Sequence, residues 1–358
     1  MFNNYLQKIS RISNYNINRE MYLRLDSNER IIPFKKKDMK KLNKFISSDL
    51  LQSYPSTKEK LIRLIAKKEK ISKKYINLVP GADAGIKYIF DIYSGQKGQL
   101  ISIYPTYGMI DVYCKTHKFT LKKIYENKIN TFLSKKIISK KTLFVYFANP
   151  NSPSGKLFSK NIILSILKKA RQNKKIMVID EAYIDFTNQK SFVSEIKKHK
   201  NLIVLKTFSK SIGLAGLRIG YMVAHPKVIN AINSIRPPHD ISYFSVKTAE
   251  FFLNKKKLWN DYLTEIKKSK KFVDKQCIKR NLEFINTDAN FFHIFFKKKK
   301  ILYLVKYLKK KKILVSSRYL GNFKSYSNSL RITYGSISQM SLFFDELDKL
   351  IKTNSNLK

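Results

Sequence analysis

The chain has 358 residues, 43% of them apolar, with 72 Lys and Arg against 25 Asp and Glu and a formal net charge of +47. That length buries a substantial core and favours two lobes, and the apolar fraction excludes a disordered chain. Two cysteines, Cys114 and Cys277, exclude a disulfide framework and match no metal-site spacing.

Charge of this size would ordinarily point to nucleic acid or an anionic membrane surface. Here the excess is mostly lysine, runs along the whole chain and accompanies abundant Ile, Asn, Tyr and Phe. Those residues share A/T-rich codons, so a base bias accounts for the charge, and no nucleic-acid-binding module concentrates it. Neither a nucleic-acid nor a membrane partner is expected. The first residues lack the apolar core of a signal peptide and no apolar run is long enough to span a bilayer. A cytoplasmic protein in a reducing compartment is expected.

In chain order, residues 1–24 read as a polar arm, and Leu23 to Pro33 as a short extended segment closed by Pro33. Asn28 and Glu29 lie there, either lining a site or forming a solvated turn. Met39, Leu42, Phe45 and Ile46 at helical spacing predict a helix over Lys35 to Leu51, and Leu61, Leu64 and Ile65 a second over Lys58 to Lys70. A strand over Asn77 to Pro80 leads into Gly81-Ala82-Asp83 and a helix, Ala84 to Tyr93. A glycine-led helix start is a natural phosphate seat, and an ordinary N-cap at Asp83 explains the same residues.

Strands and helices then alternate. Gln99 to Ile103 is a strand ended by Tyr104-Pro105-Thr106-Tyr107, and Thr142 to Phe147 a strand ended by Asn149-Pro150-Asn151-Ser152-Pro153-Ser154-Gly155. Helix follows over Ile162 to Ala170, strand over Ile176 to Asp180, helix over Phe192 to Lys198 and strand over Asn201 to Lys206. This alternation predicts an α/β fold with a mostly parallel sheet covered by helices, ligands binding at the carboxyl ends of the strands.

Asp180 ends the apolar strand IMVID, and Tyr183 follows it closely. A carboxylate near a pyridine nitrogen favours the protonated ring and deepens an electron sink. Apolar strand plus Asp180-Glu181 also resembles a Walker B segment, but the chain has no G-x-x-x-x-G-K-[ST] loop. The stretch VLKTFSKSIGLAGLRIGY, Val204 to Tyr221, reads as a strand, a hydroxyl-bearing turn with Thr207 and Ser209, then Lys210, a glycine-rich loop and a strand carrying Arg218. Two hydroxyls and a guanidinium suit a phosphate dianion. Neighbouring positive charge would disfavour the protonated form of Lys210, leaving an amine able to form a Schiff base with an aldehyde.

Beyond Tyr221 a smaller α+β lobe is expected. A long helix runs from Ser245 to Lys279, with strands over Asn290 to Phe296, Ile313 to Ser317 and Leu330 to Tyr334, and a closing helix over Met340 to Ile351. Arg318 and Arg331, each beside a loop, are candidates for clamping a substrate anion.

The stretches LDSNE, SYPS, GADAGI, YPTYGM, NPNSPSG, VIDEAYIDF, VLKTFSKSIGLAGLRIGY, DANFFHIFF and LRITYGS occur in that order. Together they resemble the fold-type I pyridoxal-phosphate aminotransferases, most closely the histidinol-phosphate aminotransferase branch. The resemblance implies pyridoxal 5′-phosphate bound as a Schiff base to Lys210, Asp180 at the pyridine nitrogen, Tyr183 at the ring's phenolic oxygen and Tyr107 against the ring face. It implies a phosphate seat of Ala82, Asp83, Thr207, Ser209 and Arg218, with Tyr54 reaching the cofactor of a neighbouring subunit in a homodimer. Asn28, Arg318 and Arg331 would bind substrate, an amino donor whose amino group passes to a 2-oxo acid, 2-oxoglutarate. Three regions follow from it: an arm over 1–44 joining the small domain, a large cofactor-binding domain over 45–240 and a small domain over 241–358.

The chain departs from the family at Ser152, where Asn is usual, and at Ala84, where an acid is usual. Either Ser152 or the preceding Asn151 then serves the phenolic oxygen. The same frame also admits an aromatic amino-acid or amino-sugar transaminase and an amino-acid-phosphate decarboxylase. A non-catalytic basic nucleic-acid-binding protein is the alternative from another class.

Overall fold

The computed structural model describes Tyr5, Ile9 and residues 17–54, 57–134, 136–297, 300–317 and 326–353. A seven-stranded sheet organises it: β2 (Ile76–Val79), β3 (Gln99–Tyr104), β4 (Thr120–Tyr125), β5 (Thr142–Ala148), β6 (Ile176–Asp180), β7 (Leu202–Thr207) and β8 (Gly220–Ala224). They lie in the order β2-β8-β7-β6-β5-β3-β4, and only β8 runs against the rest. Side chains alternate across the pleat: Met177 and Ile179 of β6 pack in one apolar layer and Val178 in the other. Burial on both faces explains why these strands read as continuous apolar runs.

The parallel strands end on one edge of the sheet, and register fixes who meets there. Gly220 pairs with Val79 on one side and Thr207 on the other. The turn after β2, the turn after β7 and the residues just before β8 therefore converge. Gly220 must be glycine, because a Cβ there would sit 2.6 Å from the Lys206 carbonyl. Ala148, Asp180 and Leu205 lie level in neighbouring strands, which sets Asp180 beside this same edge.

A second, antiparallel sheet has β10 (Phe291–Phe295) between β9 (Phe284–Asn286) and β12 (Ser329–Thr333). Its core of Phe291, Phe292, Ile294, Leu330, Ile332 and Phe343 is separate from the two layers of the large sheet, and Leu25 and Tyr183 join it. The arm enters this lobe through β1 (Leu23–Arg24), which pairs in parallel with β11 (Ile313–Leu314). That pairing carries the chain directly to Asn28. Among the described residues no helix is long and apolar enough to cross a membrane.

Several elements differ from expectation. The helix over Lys35 to Leu51 is two short ones, Lys36–Asn43 and Asp49–Gln52, with Phe45 and Ile46 exposed between them. The long helix from Ser245 is likewise two, Tyr243–Leu253 and Lys256–Lys279, because the backbone leaves the helical region at Lys255, with φ −114° and ψ 64°. Phe192 begins a single turn, Phe192–Glu195, in place of a helix to Lys198. Arg218 lies outside any strand, in a left-handed conformation with φ 48° after the turn Ala215–Leu217. The edge strand β4, TLKKIY, escaped the pattern because only Ile124 in it is buried.

Candidate active site

Gly81, with φ +78°, opens the helix Gly81–Ile92 behind Pro80, whose cap position supplies no side-chain acceptor. The N-cap reading of Asp83 is thereby corrected: Asp83 lies inside the first turn, and its Oδ1 accepts from the Tyr113 hydroxyl at 3.0 Å. The first-turn amides stay free of side-chain caps, with the positive end of the helix dipole behind them. Arg218 reaches over this turn, so a Cβ on Gly81 would lie 3.0 Å from Arg218 Nη2. Arg218 Nη1 donates to the Ala215 carbonyl at 3.1 Å and to Ser209 Oγ at 3.5 Å, and Thr207 Oγ1 donates to Ser209 Oγ at 3.0 Å. Helix amides, two hydroxyls and a guanidinium thus face one small space, an arrangement suited to a phosphate dianion.

Lys210 follows on the same turn. Its Nζ donates to the Asn28 carbonyl at 3.0 Å and the Ser27 carbonyl at 3.3 Å, and lies 5.7 Å from the centroid of the Tyr183 ring. Burial of the ammonium pushes its pKa down to about 8, and Arg331 and Arg218 add to the shift while Glu29 and Asp180 oppose it. Sequence reasoning credited neighbouring positive charge; loss of solvent is the larger cause.

Asp180 is buried at the end of β6, where Oδ2 accepts from the Tyr146 hydroxyl at 2.8 Å and Oδ1 from the Ala182 amide at 3.0 Å. Burial raises its pKa to about 6, against these two hydrogen bonds, and its charged neighbours Asp83 and Glu181 push the same way as burial. The Lys210 ammonium attracts this carboxylate, but burial and the acids outweigh that pull, and the group calls for a further cation. Glu181, the other half of the Walker-like pair, accepts from Ser191 Oγ and the Phe192 amide and pairs with buried Lys206 at 3.5 Å. It is committed to internal structure.

Tyr183 is buried, its hydroxyl accepting from Asn28 Nδ2 at 2.9 Å, with Phe291 edge-on to its ring. Asn28 sits in the left-handed region at φ 54°, and its amide donates to Thr333 Oγ1 at 3.0 Å. Its bland reading as a solvated turn is wrong, since it is 1% exposed. Glu29 pairs with Arg19 at 2.9 Å and Arg24 at 3.7 Å. Tyr107 is half-buried and packs with Ala82 against the layer that holds Tyr146.

Asn151 and Ser152 part company. Asn151 Nδ2 donates to the Pro105 carbonyl at 2.6 Å and Glu126 Oε1 at 2.7 Å, while its Oδ1 accepts from the Ser152 amide at 2.9 Å. Burial raises the pKa of the Tyr183 hydroxyl, and hydrogen bonding by Asn28 and, least of all, by Ser152 opposes that rise. Arg331 is buried on β12 with Nη2 donating to the Asp26 carbonyl at 2.8 Å. Arg318 lies outside the described residues. Tyr54 stands 77% exposed, stacked on His239 at 4.5 Å.

Two residues escaped sequence reasoning. Tyr146, the hydroxyl donor to Asp180, showed itself only as one polar tip in the otherwise apolar strand TLFVYFA. Asn290, whose Nδ2 donates to the Asn28 carbonyl at 3.1 Å, carried no local signal.

Residues 22–347 match the profile of the family aminotransferase class I and II. The chain belongs to the class I and II aminotransferases. It is 31% identical over 346 residues to a histidinol-phosphate aminotransferase of Ruminiclostridium cellulolyticum, covering 93% of this chain and 94% of that one. It is 29% identical to a dihydroxyacetone phosphate transaminase of Campylobacter jejuni, over 94% of this chain and 92% of that one. The crystal structure of histidinol-phosphate aminotransferase from Sinorhizobium meliloti in complex with pyridoxal-5′-phosphate superposes with a TM-score of 0.87 at 18% identity, over 98% of both chains.

As a member of this family the chain is a pyridoxal-phosphate-dependent transaminase. The residues present fit that cofactor on two grounds internal to the structure. Gly81 leaves open the cradle under Arg218 that a Cβ would crowd, and buried Asp180, its pKa raised to about 6 in spite of Lys210, would be satisfied by a ring cation.

Proposed function

We propose that this chain, as a homodimer, transfers the amino group of histidinol phosphate to 2-oxoglutarate. The observation that carries the chemistry is the Lys210 amine, held on the Ser27 and Asn28 carbonyls with its pKa near 8. Near neutral pH such a group exchanges a proton readily in either direction. Support for the substrate is the likeness to a curated histidinol-phosphate aminotransferase over nearly the whole of both chains.

Pyridoxal phosphate, when bound, supplies an aldehyde that condenses with amines and a ring that withdraws electrons from the bond being broken. The first-turn amides at Ala82 and Asp83, with Thr207, Ser209 and Arg218, hold its phosphate. Asp180, oriented by Tyr146, would favour the protonated ring nitrogen, and Tyr107 would offer an aromatic face to the ring. Tyr183, oriented by Asn28, would donate to the ring oxygen, and Ser152 would take the second place there, since Asn151 is committed to Pro105 and Glu126. Lys210 Nζ would take up the proton from the substrate's Cα and hold it for return in the later step.

Arg331, and Arg318 with it, binds the anionic end of the substrate. Replacing Arg331 by Lys keeps the charge and loses the planar fork, which costs about 1.5–3 kcal/mol, or a rise in KM of about 10- to 100-fold. Steady-state kinetics with histidinol phosphate should show that rise with a much smaller change in kcat. An unchanged KM would remove Arg331 from the substrate site.

Support for the homodimer is the exposed ring of Tyr54, stacked on His239 and left to solvent in the single chain. Sedimentation equilibrium should give a dimer, and Tyr54→Phe should weaken cofactor retention without dissociating it. A monomer that retains cofactor fully would refute the Tyr54 role. The resemblance to a dihydroxyacetone phosphate transaminase favours one rival, another phosphate monoester, so both compounds belong in the same substrate panel.

A further inference from the structure

His293 is fully buried on β10, opposite Arg331 in register on β12. Both ring nitrogens are engaged: Nδ1 lies 3.0 Å from Ser329 Oγ and Nε2 lies 2.9 Å from the Pro153 carbonyl. A carbonyl only accepts, so Nε2 carries the proton and Nδ1 of the neutral ring accepts from the Ser329 hydroxyl. That hydroxyl also lies 3.0 Å from the Tyr326 carbonyl, so its one proton is shared between two acceptors. Phe291, Phe295 and Tyr326 enclose the imidazole, and burial pushes its pKa down to about 3, which keeps the ring neutral.

The contact with Pro153 joins two sheets. Pro153 directly follows Ser152 in the loop after β5, and other contacts grip the same loop further on. The Asp288 amide donates to the Gly155 carbonyl at 2.9 Å, the Leu157 amide donates to Asp288 Oδ2 at 3.2 Å, and a Cβ on Gly155 would collide with Thr287. From the other side Asn151 is held by Pro105 and Glu126. Ser152 is buried between these anchors, and its side chain opposes the rise in the Tyr183 pKa.

We propose that His293 is a positioning residue, whose Nε2–H holds the Pro153 carbonyl and thereby sets the Ser152 hydroxyl beside Tyr183 at the cofactor's ring oxygen. The proposal rests on the assignment of Ser152 to that oxygen. It makes a strand of the second sheet responsible for the hydrogen bonding of a group bound at the first.

The test is a pH titration of the visible absorbance of the pyridoxal-phosphate-loaded full chain, in wild type, Ser152→Ala, His293→Leu, His293→Gln and the Ser152→Ala/His293→Leu double variant. Losing one neutral donor to the ring oxygen should raise the midpoint by about 0.7 pH unit. His293→Leu should match Ser152→Ala, and the double variant should go no further. His293→Gln, whose amide still donates to Pro153, should stay at the wild-type midpoint. If Ser152→Ala moves the midpoint and His293→Leu does not, the His293 proposal is overturned. If cofactor binds but Ser152→Ala moves nothing, the Ser152 assignment fails, and with it the His293 role.

A second measurement covers a His293→Leu chain that does not fold. Nitrogen-15 spectra of the five histidines in wild type should show one ring, absent from the His293→Gln spectrum, that stays an Nε2–H tautomer between about pH 5 and 8. An Nδ1–H tautomer or a titrating ring at that position would also overturn the proposal.

Discussion

Lys210→Ala is expected to lower turnover by about ten-thousand-fold or more, because one side chain both engages the cofactor's aldehyde and moves the substrate's proton. The geometry makes replacement from elsewhere improbable in physical terms: the next lysine along, Lys206, is locked in ion pairs with Glu69 and Glu181 at 3.5 Å each. Loss of the side chain should leave the fold intact, since Nζ bonds only two backbone carbonyls of the arm. A small primary amine in the buffer should restore part of the rate, rising with pH as its free base accumulates. Lys210→Arg should not recover, since a guanidinium stays protonated throughout. In the wild type the neutral amine gains population as pH rises toward about 8, so single-turnover rates should climb on the acid side of that value. A Lys210→Ala protein with the wild-type visible spectrum and rate would remove Lys210 from the centre of the site.

Asp180→Asn carries the second large effect, and it acts in opposite directions on activity and stability. Without a carboxylate at the ring nitrogen the electron sink weakens, and turnover should fall by about a thousand-fold. The cofactor-free protein should meanwhile become more stable near pH 7. The folded-state pKa is raised to about 6 from an ordinary 3.8, so the native carboxylate is penalised above about pH 6, and the penalty vanishes below the unfolded value. Two pH units correspond to about 3 kcal/mol, from which the hydrogen bond that the amide cannot accept, about 1 kcal/mol, is subtracted. The expected gain is about 2 kcal/mol by denaturant unfolding at pH 7, shrinking toward pH 4. A variant less stable than wild type at both pH values would show that Asp180 is structural.

The opposite signs follow from one fact: a carboxylate whose charge is disfavoured chiefly by burial is a cost to the empty fold and an asset once a cation is bound. Tyr146 and the Ala182 amide keep it oriented meanwhile. A site held in readiness at the expense of stability is common where function requires it.

How much of this was legible in the sequence can be judged residue by residue. Apolar runs separated by helical periods exposed the large sheet, and Asp180 and Thr207 were visible as polar ends of such runs. Register was not visible, and register is what brings Gly81, Thr207 and Arg218 together through Gly220. LRIGY has a strand's composition, which predicts Arg218 within a strand. Its left-handed backbone instead aims the guanidinium across the turn toward Gly81. Asn28 was ambiguous in a polar stretch of the arm, and only the pairing of β1 with β11 and the contact with Thr333 bury it. Tyr146 and His293 act through partners distant in sequence, Asp180 and Pro153, which no local pattern reports. Ser152 and Asn151 were indistinguishable by position, and separated only when Asn151 proved bound to Glu126 from another element.

The central claim, transamination of histidinol phosphate through Lys210, is tested most directly by recording the visible absorbance of the pyridoxal-phosphate-loaded protein while adding amines one at a time. Histidinol phosphate should bleach the band at lower concentration than glutamate, aromatic amino acids or an amino derivative of dihydroxyacetone phosphate, and 2-oxoglutarate should restore it. A band that histidinol phosphate leaves untouched while another of these amines bleaches it would contradict the substrate, and a protein that takes up no cofactor would contradict the account as a whole.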